Sequence, residues 1–231
     1  MRDVTGLARD EDRPAGRARG APLSRFGVCT RRSRLSSRNA RADLEASTLE
    51  SALAEALRAG AVAEARIVLR GAQRRLTAAL VDQPGRPELY FWRARVRHAL
   101  GASQAAALDY TMALARGYTD AVDVLLRRAR LHADRGDARR AEQDLSEAVV
   151  RAPYDRRGYE ARSLIRFVRG DHEGAIADIT AAIDLAPDRP SGYYDRSAYL
   201  MALDRVDEAA TDFGRAVALD PSFVDDRAAS A

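Results

Sequence analysis

Four consecutive stretches of the chain copy one another in a 34-residue register: 87–120, 122–155, 156–189 and 190–223, with Ala121 inserted between the first two. A period of that length makes each stretch one supersecondary unit. Such a unit cannot bury its apolar face alone, so neighbouring units must stack. The eighth position is small in every unit: Ala94, Ala129, Ser163 and Ser197. The fifteenth is Gly101, Gly136, Gly170 and then Asp204; the twentieth is Ala106, Ala141, Ala175 and Ala209. The twenty-seventh is Ala113, Ala148, Ala182 and Ala216, and the thirty-second is Tyr118, Pro153, Pro187 and Pro221. Small residues let two helix axes approach closely, and alanine favours helix above all other residues. Glycine accepts a positive φ where a first helix ends, and proline stops a second one.

Composition agrees with helices. Hydrophobic residues make up 46% of the 231, but only 6% are aromatic, and β-branched residues are sparse. That excludes a sandwich or barrel. A single Cys excludes an internal disulfide and a thiolate cluster for zinc. No apolar run approaches the ~18 residues of a membrane span.

On these positions the chain resembles the tetratricopeptide repeat (TPR) family, whose 34-residue unit is a pair of antiparallel helices. The resemblance covers 87–223. It extends to the family's large fourth residue (Tyr90, Leu125, Tyr159, Tyr193) and bulky twenty-fourth (Tyr110, Leu145, Ile179, Phe213). The departures are Tyr118 for Pro, Asp204 for Gly, and Arg at the seventh position where an aliphatic is usual. The fold implied is all-α: an α-solenoid of TPR helical hairpins wound as a right-handed superhelix, preceded by a disordered N-terminal tail.

The seventh position is Arg93, Arg128, Arg162 and Arg196; the twenty-third is Asp109, Asp144, Asp178 and Asp212. Four pairs out of four predict a recurring Arg–Asp ion pair, within a unit or between neighbours. A guanidinium fork suits a carboxylate, and the role is architectural.

All 38 basic residues are Arg. Segment 1–43 holds eleven of them against five acids, whereas the rest of the chain is nearly neutral at 27 against 29. The high pI near 9.5 therefore belongs to the tail. Residues 1–43, rich in Arg, Ser and Gly, read as disordered. Their densest patch is Arg31-Arg32-Ser33-Arg34, but Phe26 is the only aromatic to accompany it, so a solvated tail is favoured over a phosphate contact. Asp10, Glu11 and Asp12 argue against a signal peptide, and Cys29 reads as an incidental thiol. Residues 44–86 read as a helical hairpin or degenerate repeat. Leu44, Leu49, Leu53 and Leu57 line one helix, and Ala65, Leu69, Ala72, Leu76 and Ala79 an extended second one. Gly60 serves as the turn between them or as the small eighth residue of a fifth unit; the turn gives the first helix a sensible length. Residues 224–231 leave room only for a short C-terminal tail. Val206, Ala210, Phe213 and Val217 on the last helix are expected to be partly uncovered, a face for a homo-dimer or another partner.

No catalytic constellation emerges. His98, His132 and His172 fall at different register positions, and neither a phosphate loop nor a nucleophile elbow is present. No metal or cofactor is implied, and the chain does not read as an enzyme. In the family, the first helices line an inner groove through positions two, five, six, nine, twelve and thirteen. The resemblance therefore implies a partner-binding groove of Phe91, Trp92, Arg95, His98, Arg127, Arg130, Arg157, Glu160, Phe167, Tyr194 and Met201, with Asp134, Leu164, Asp195 and Ala198 beside them. Aromatic rings with Arg compose a binding hot spot, and the Arg side chains favour an acidic segment. The Lys and Asn pattern of the family's chaperone-binding members is absent, so that specificity is not carried over. The expected function is a non-catalytic adaptor or scaffold for a protein or peptide partner. The alternatives are nucleic-acid binding by the Arg-rich tail and groove, or an accessory subunit of an enzyme. The Ala/Arg bias without Lys suggests GC-rich coding and a bacterial cytoplasmic protein.

Overall fold

The computed structural model describes residues 62–224. The Arg-rich tail, Cys29, the helix expected over 44–59 with Gly60, and residues 225–231 lie outside the described residues. Within them the chain forms nine α-helices and no strand. These are α1 (Val62–Asp82), α2 (Pro87–Ala99), α3 (Ser103–Ala115), α4 (Ala121–Asp134), α5 (Ala138–Arg151), α6 (Arg156–Val168), α7 (His172–Leu185), α8 (Pro190–Met201) and α9 (Val206–Leu219), closed by a 3-10 turn over Pro221–Val224. Each of the pairs α2/α3, α4/α5, α6/α7 and α8/α9 packs more extensively within itself than against its neighbours.

Local chemistry sets the helix boundaries. Asp120, Asp137, Asp155 and Asp171 cap α4, α5, α6 and α7 by accepting a backbone N–H two or three residues on, at 3.0–3.2 Å. Pro87 and Pro190 open α2 and α8, where a missing N–H costs nothing. Two of the family's residues are replaced. Asp204 takes the left-handed turn that Gly takes elsewhere, at φ 57°. After α3 the stop passes to Gly117 at φ 75°, which frees Tyr118 to stack on Phe91 with ring centroids 4.4 Å apart.

The core follows the register. Ala106, Ala141, Ala175 and Ala209 are at most 3% exposed, and Tyr110, Leu145 and Ile179 fill the space they leave. The first units also cluster Phe91, Ala94, Val124 and Leu131, with Trp92 packed against them. Further along, Phe167 stacks on Tyr199 at 4.6 Å. The 21-residue α1 packs on α2 and buries Ala65, Leu69, Ala72, Leu76 and Leu80.

All four expected ion pairs form, each inside its own hairpin. In every unit Arg Nε donates to one Asp oxygen and Nη2 to the other: Arg93–Asp109 at 2.8 and 2.7 Å, Arg128–Asp144 at 2.9 and 2.6 Å, Arg162–Asp178 at 2.8 and 2.7 Å, Arg196–Asp212 at 2.6 and 2.8 Å. The four Asp are buried. The third guanidinium nitrogen donates backwards to a hydroxyl on the preceding helix: Thr77, Thr111, Ser146 or Thr180, at 2.9–3.5 Å. A continuous hydroxyl–Arg–Asp ladder therefore runs along the array. The hydroxyls share the twenty-fifth register position, a recurrence present in the sequence but easily taken for side chains that face only water.

At the far end, Val206 and Ala210 on α9 are exposed, while Phe213 and Val217 are half-buried. Tyr194 lies between Phe213 and Phe223 of the terminal turn, at 6.4 and 5.1 Å.

Candidate partner-binding face

Helices α2 and α4 bring the richest group of expected residues together. Phe91 is the exception to the expectation: it is only 4% exposed, packed among Tyr110, Tyr118 and Trp92. Tyr118 stands where the family has proline, and its ring draws Phe91 inward. Phe91 instead makes a floor. The guanidiniums of Arg95 and Arg127 both lie over its ring, each 5.9 Å from the centroid. Arg95 also covers the half-buried Trp92 at 4.9 Å. Burial, then the neighbouring Arg127 charge, lowers the pKa of Arg95. Arg127 Nε donates to Asp123 at 2.8 Å.

Beneath this pair lies a group that sequence reasoning treated as packing alone. Tyr110 is buried and its hydroxyl has no hydrogen-bond partner. Burial pushes it up to about 12, with Arg127 and Arg95 pulling the other way. A phenol at a position reserved for bulk was the available signal, because a buried hydroxyl needs a partner. On the rim, His98 Nε2 is 4.0 Å from Asp134, and burial lowers its pKa. Arg130 is exposed nearby.

The remaining residues divide into separate settings. Arg157 is exposed and forks onto Asp155 at 3.0 and 2.6 Å. Glu160 accepts from Arg156. Across from it on α8, burial and then the Glu160 charge push Asp195 up to about 6. Arg95, Arg127 and Arg130 thus place cations on α2 and α4, whereas α6 and α8 carry the acids Glu160 and Asp195 beside Arg156 and Arg157. Phe167 is engaged with Tyr199 and His172, and Tyr194 with the terminal turn. Leu164, Ala198 and Met201 are exposed.

Among the described residues no group of three or more His, Cys, Asp or Glu is placed to hold a metal ion. No described helix is long and apolar enough to cross a membrane.

A family model described as tetratricopeptide repeat matches residues 69–121 and 126–190, just over half of the chain. Among solved structures, MamA from Desulfovibrio magneticus RS-1 (residues 41 to its end) aligns with a TM-score of 0.60 at 20% identity, covering 77% of this chain and 96% of that one. YrrB, described as a TPR protein with an unusual peptide-binding site, aligns with a TM-score of 0.56 at 14% identity, covering 73% and 83%. The APC/C hetero-tetramer Cut9-Hcn1 aligns with a TM-score of 0.55 at 18% identity, covering 76% of this chain and 33% of that one. At these identities the likeness is one of fold. No curated protein matches the chain.

Proposed function

The chain belongs to the tetratricopeptide repeat family, and from that premise we propose that it is a non-catalytic adaptor that holds a segment of another protein against its first helices. One observation carries the reading. Two guanidiniums share the Phe91 ring above a buried phenol that has no partner. A carboxylate between Arg95 and Arg127 would relieve their mutual repulsion through charge-assisted hydrogen bonds. Trp92, with a face already beside Arg95, supplies the apolar anchor. The acidic stretch at Glu160 and Asp195 deepens the reading: the segment carries acids toward α2 and α4 and neutral or basic residues toward α6 and α8. Arg130, His98, Leu164 and Met201 complete the proposed contact face, with Phe91 as its support.

The test is a pull-down from the native cell with the wild-type chain and with Arg127→Glu plus Arg130→Glu, followed by titration of the recovered partner's acidic segment. Binding that the double variant loses, and that survives replacement of Asp and Glu by Gln in the segment, removes the acidic reading. Retention of RNA with a steep log–log salt dependence removes the protein reading altogether. Self-association through α9 belongs to the same proposal, because Val206 and Ala210 are exposed there. A concentration-independent monomer by light scattering removes it.

A further inference from the structure

The clefts between consecutive units are built from the same register positions: the twenty-first on one second helix, and the eleventh and fourteenth on the next first helix. Between α5 and α6 these are Glu142, Arg166 and Arg169. Arg166 Nε donates to Glu142 Oε1 at 3.1 Å, and Arg169 donates to the other oxygen. Between α7 and α8 they are Ile176, Leu200 and Leu203, and Ile176 and Leu200 line that cleft as an apolar pair. Those two junctions therefore hold either an ion cluster or an apolar contact.

The junction between α3 and α4 has neither. Its residues are Ala107, His132 and Arg135. Arg135 stands where Arg169 does, but a methyl group replaces the carboxylate. The cleft here is about 410 Å³, against about 340 Å³ between α7 and α8, and is lined by Gln104, Ala107, His132, Arg135, Arg140 and Gln143. Its floor is the Arg128–Asp144 fork, whose charges satisfy each other. Burial holds His132 below its usual pKa, so Arg135 and Arg140 carry the positive charge of the lining. Arg135 has no ion-pair partner among the described residues. Arg140 has only a 3.4 Å contact to Asp137 and is 68% exposed. The amides of Gln104 and Gln143 add donors, and exposed Leu108 provides an apolar ledge.

We infer that this cleft is a second docking point for a protein partner, and that it takes an acidic side chain whose carboxylate sits where Glu142 sits one unit further along. The neighbouring junction is the template: Arg135 stands where Arg169 binds Glu142, His132 stands where Arg166 does, and Arg140, at position nineteen, supplies the second charge from α5. The occupant is a protein carboxylate rather than a nucleic acid because the cleft holds two exposed arginines, Arg140 held only at 3.4 Å by Asp137, and no Phe, Tyr or Trp ring among its lining residues on which a base could stack. On α4, positions seven, eleven and fourteen lie about 80–160° around the helix from Arg127 and Arg130. The cleft is therefore distinct from the groove, and its failure leaves the groove reading intact.

The experiment follows the arginine Nε–H signals of the full-length chain by NMR during titration with an acetylated, amidated Ala-Glu-Leu-Glu-Ala peptide. Saturable shifts at Arg135 and Arg140 are expected. Ala107→Glu, which restores the carboxylate from within, should weaken that response by about tenfold and raise the melting temperature. Ala107→Gln, of equal size and neutral, should keep it. The exposed variant Arg135→Ser should lose the Arg140 response without a change of fold. A flat titration at Arg135 and Arg140, an undiminished response in Ala107→Glu, or tighter shifts with inorganic phosphate than with the peptide would overturn the inference.

Discussion

Arg162 grips both carboxylate oxygens of Asp178, and Arg166, bonded to Glu142, stands 3.0 Å from the same buried acid. Asp178→Ala strands the Arg162 charge in a half-dry site, while Arg166 keeps Glu142. It should cost about 3–5 kcal/mol in a denaturant titration. Pairing it with Arg162→Met should recover a good part of that loss, because the penalty lies in the unpaired charge. A loss under about 1 kcal/mol would mean the fork is screened like a surface pair.

Asp195 should make the protein less stable as pH rises. Its pKa, raised to about 6 in the folded chain by burial and then by Glu160, means the native state binds the proton more tightly than the unfolded chain does. Stability therefore falls between about pH 4 and pH 6 and stays lower above that range. Asp195→Asn should flatten this segment of the pH profile and stabilise the protein at pH 7 by about 1 kcal/mol, after allowance for partial solvent screening. A profile unchanged by the substitution would contradict the assignment.

Two glycines at helix positions should respond in opposite ways. A Cβ on Gly192 would stand 2.8 Å from Ile183 Cγ1 on α7, whereas a Cβ on Gly214 meets nothing within 4 Å. Gly192→Ala should thus lose about 1–3 kcal/mol through overpacking. Gly214→Ala, in the exposed interior of α9, should gain about 0.5–1 kcal/mol. Melting curves of the two variants read both signs.

Tyr110→Phe should separate stability from binding. Removing a buried hydroxyl that has no partner should stabilise the free chain by about 1–2 kcal/mol. The same change should leave capture of an acidic segment unaltered, because the ring and its hydroxyl are fully buried. Thermal melts and a titration on the same sample test the two halves, and a variant that is destabilised would mean the hydroxyl is already satisfied.

The sequence made the array legible because its constraints are local and recur: Ala175 or Gly136 has the same neighbours in each unit. The Arg–Asp fork was legible for the same reason, since sixteen residues separate its partners every time. The face was less so, because it depends on single departures. Tyr118 in place of proline turned Phe91 from a contact residue into a floor. Asp195 gave no sign of its raised pKa, to which Glu160, in the unit before its own, contributes. The steric limit at Gly192 is likewise set by Ile183, a partner that no pattern within α8 reveals.

The hydroxyl rung ties each arginine only to the unit before it, so no strut crosses two junctions. A tension applied at the ends of such an array meets the junctions one at a time. It should peel the hairpins off singly, giving a saw-tooth of unequal peaks, the lowest at the junction of Ala107 and the highest at that of Glu142, instead of one abrupt rupture.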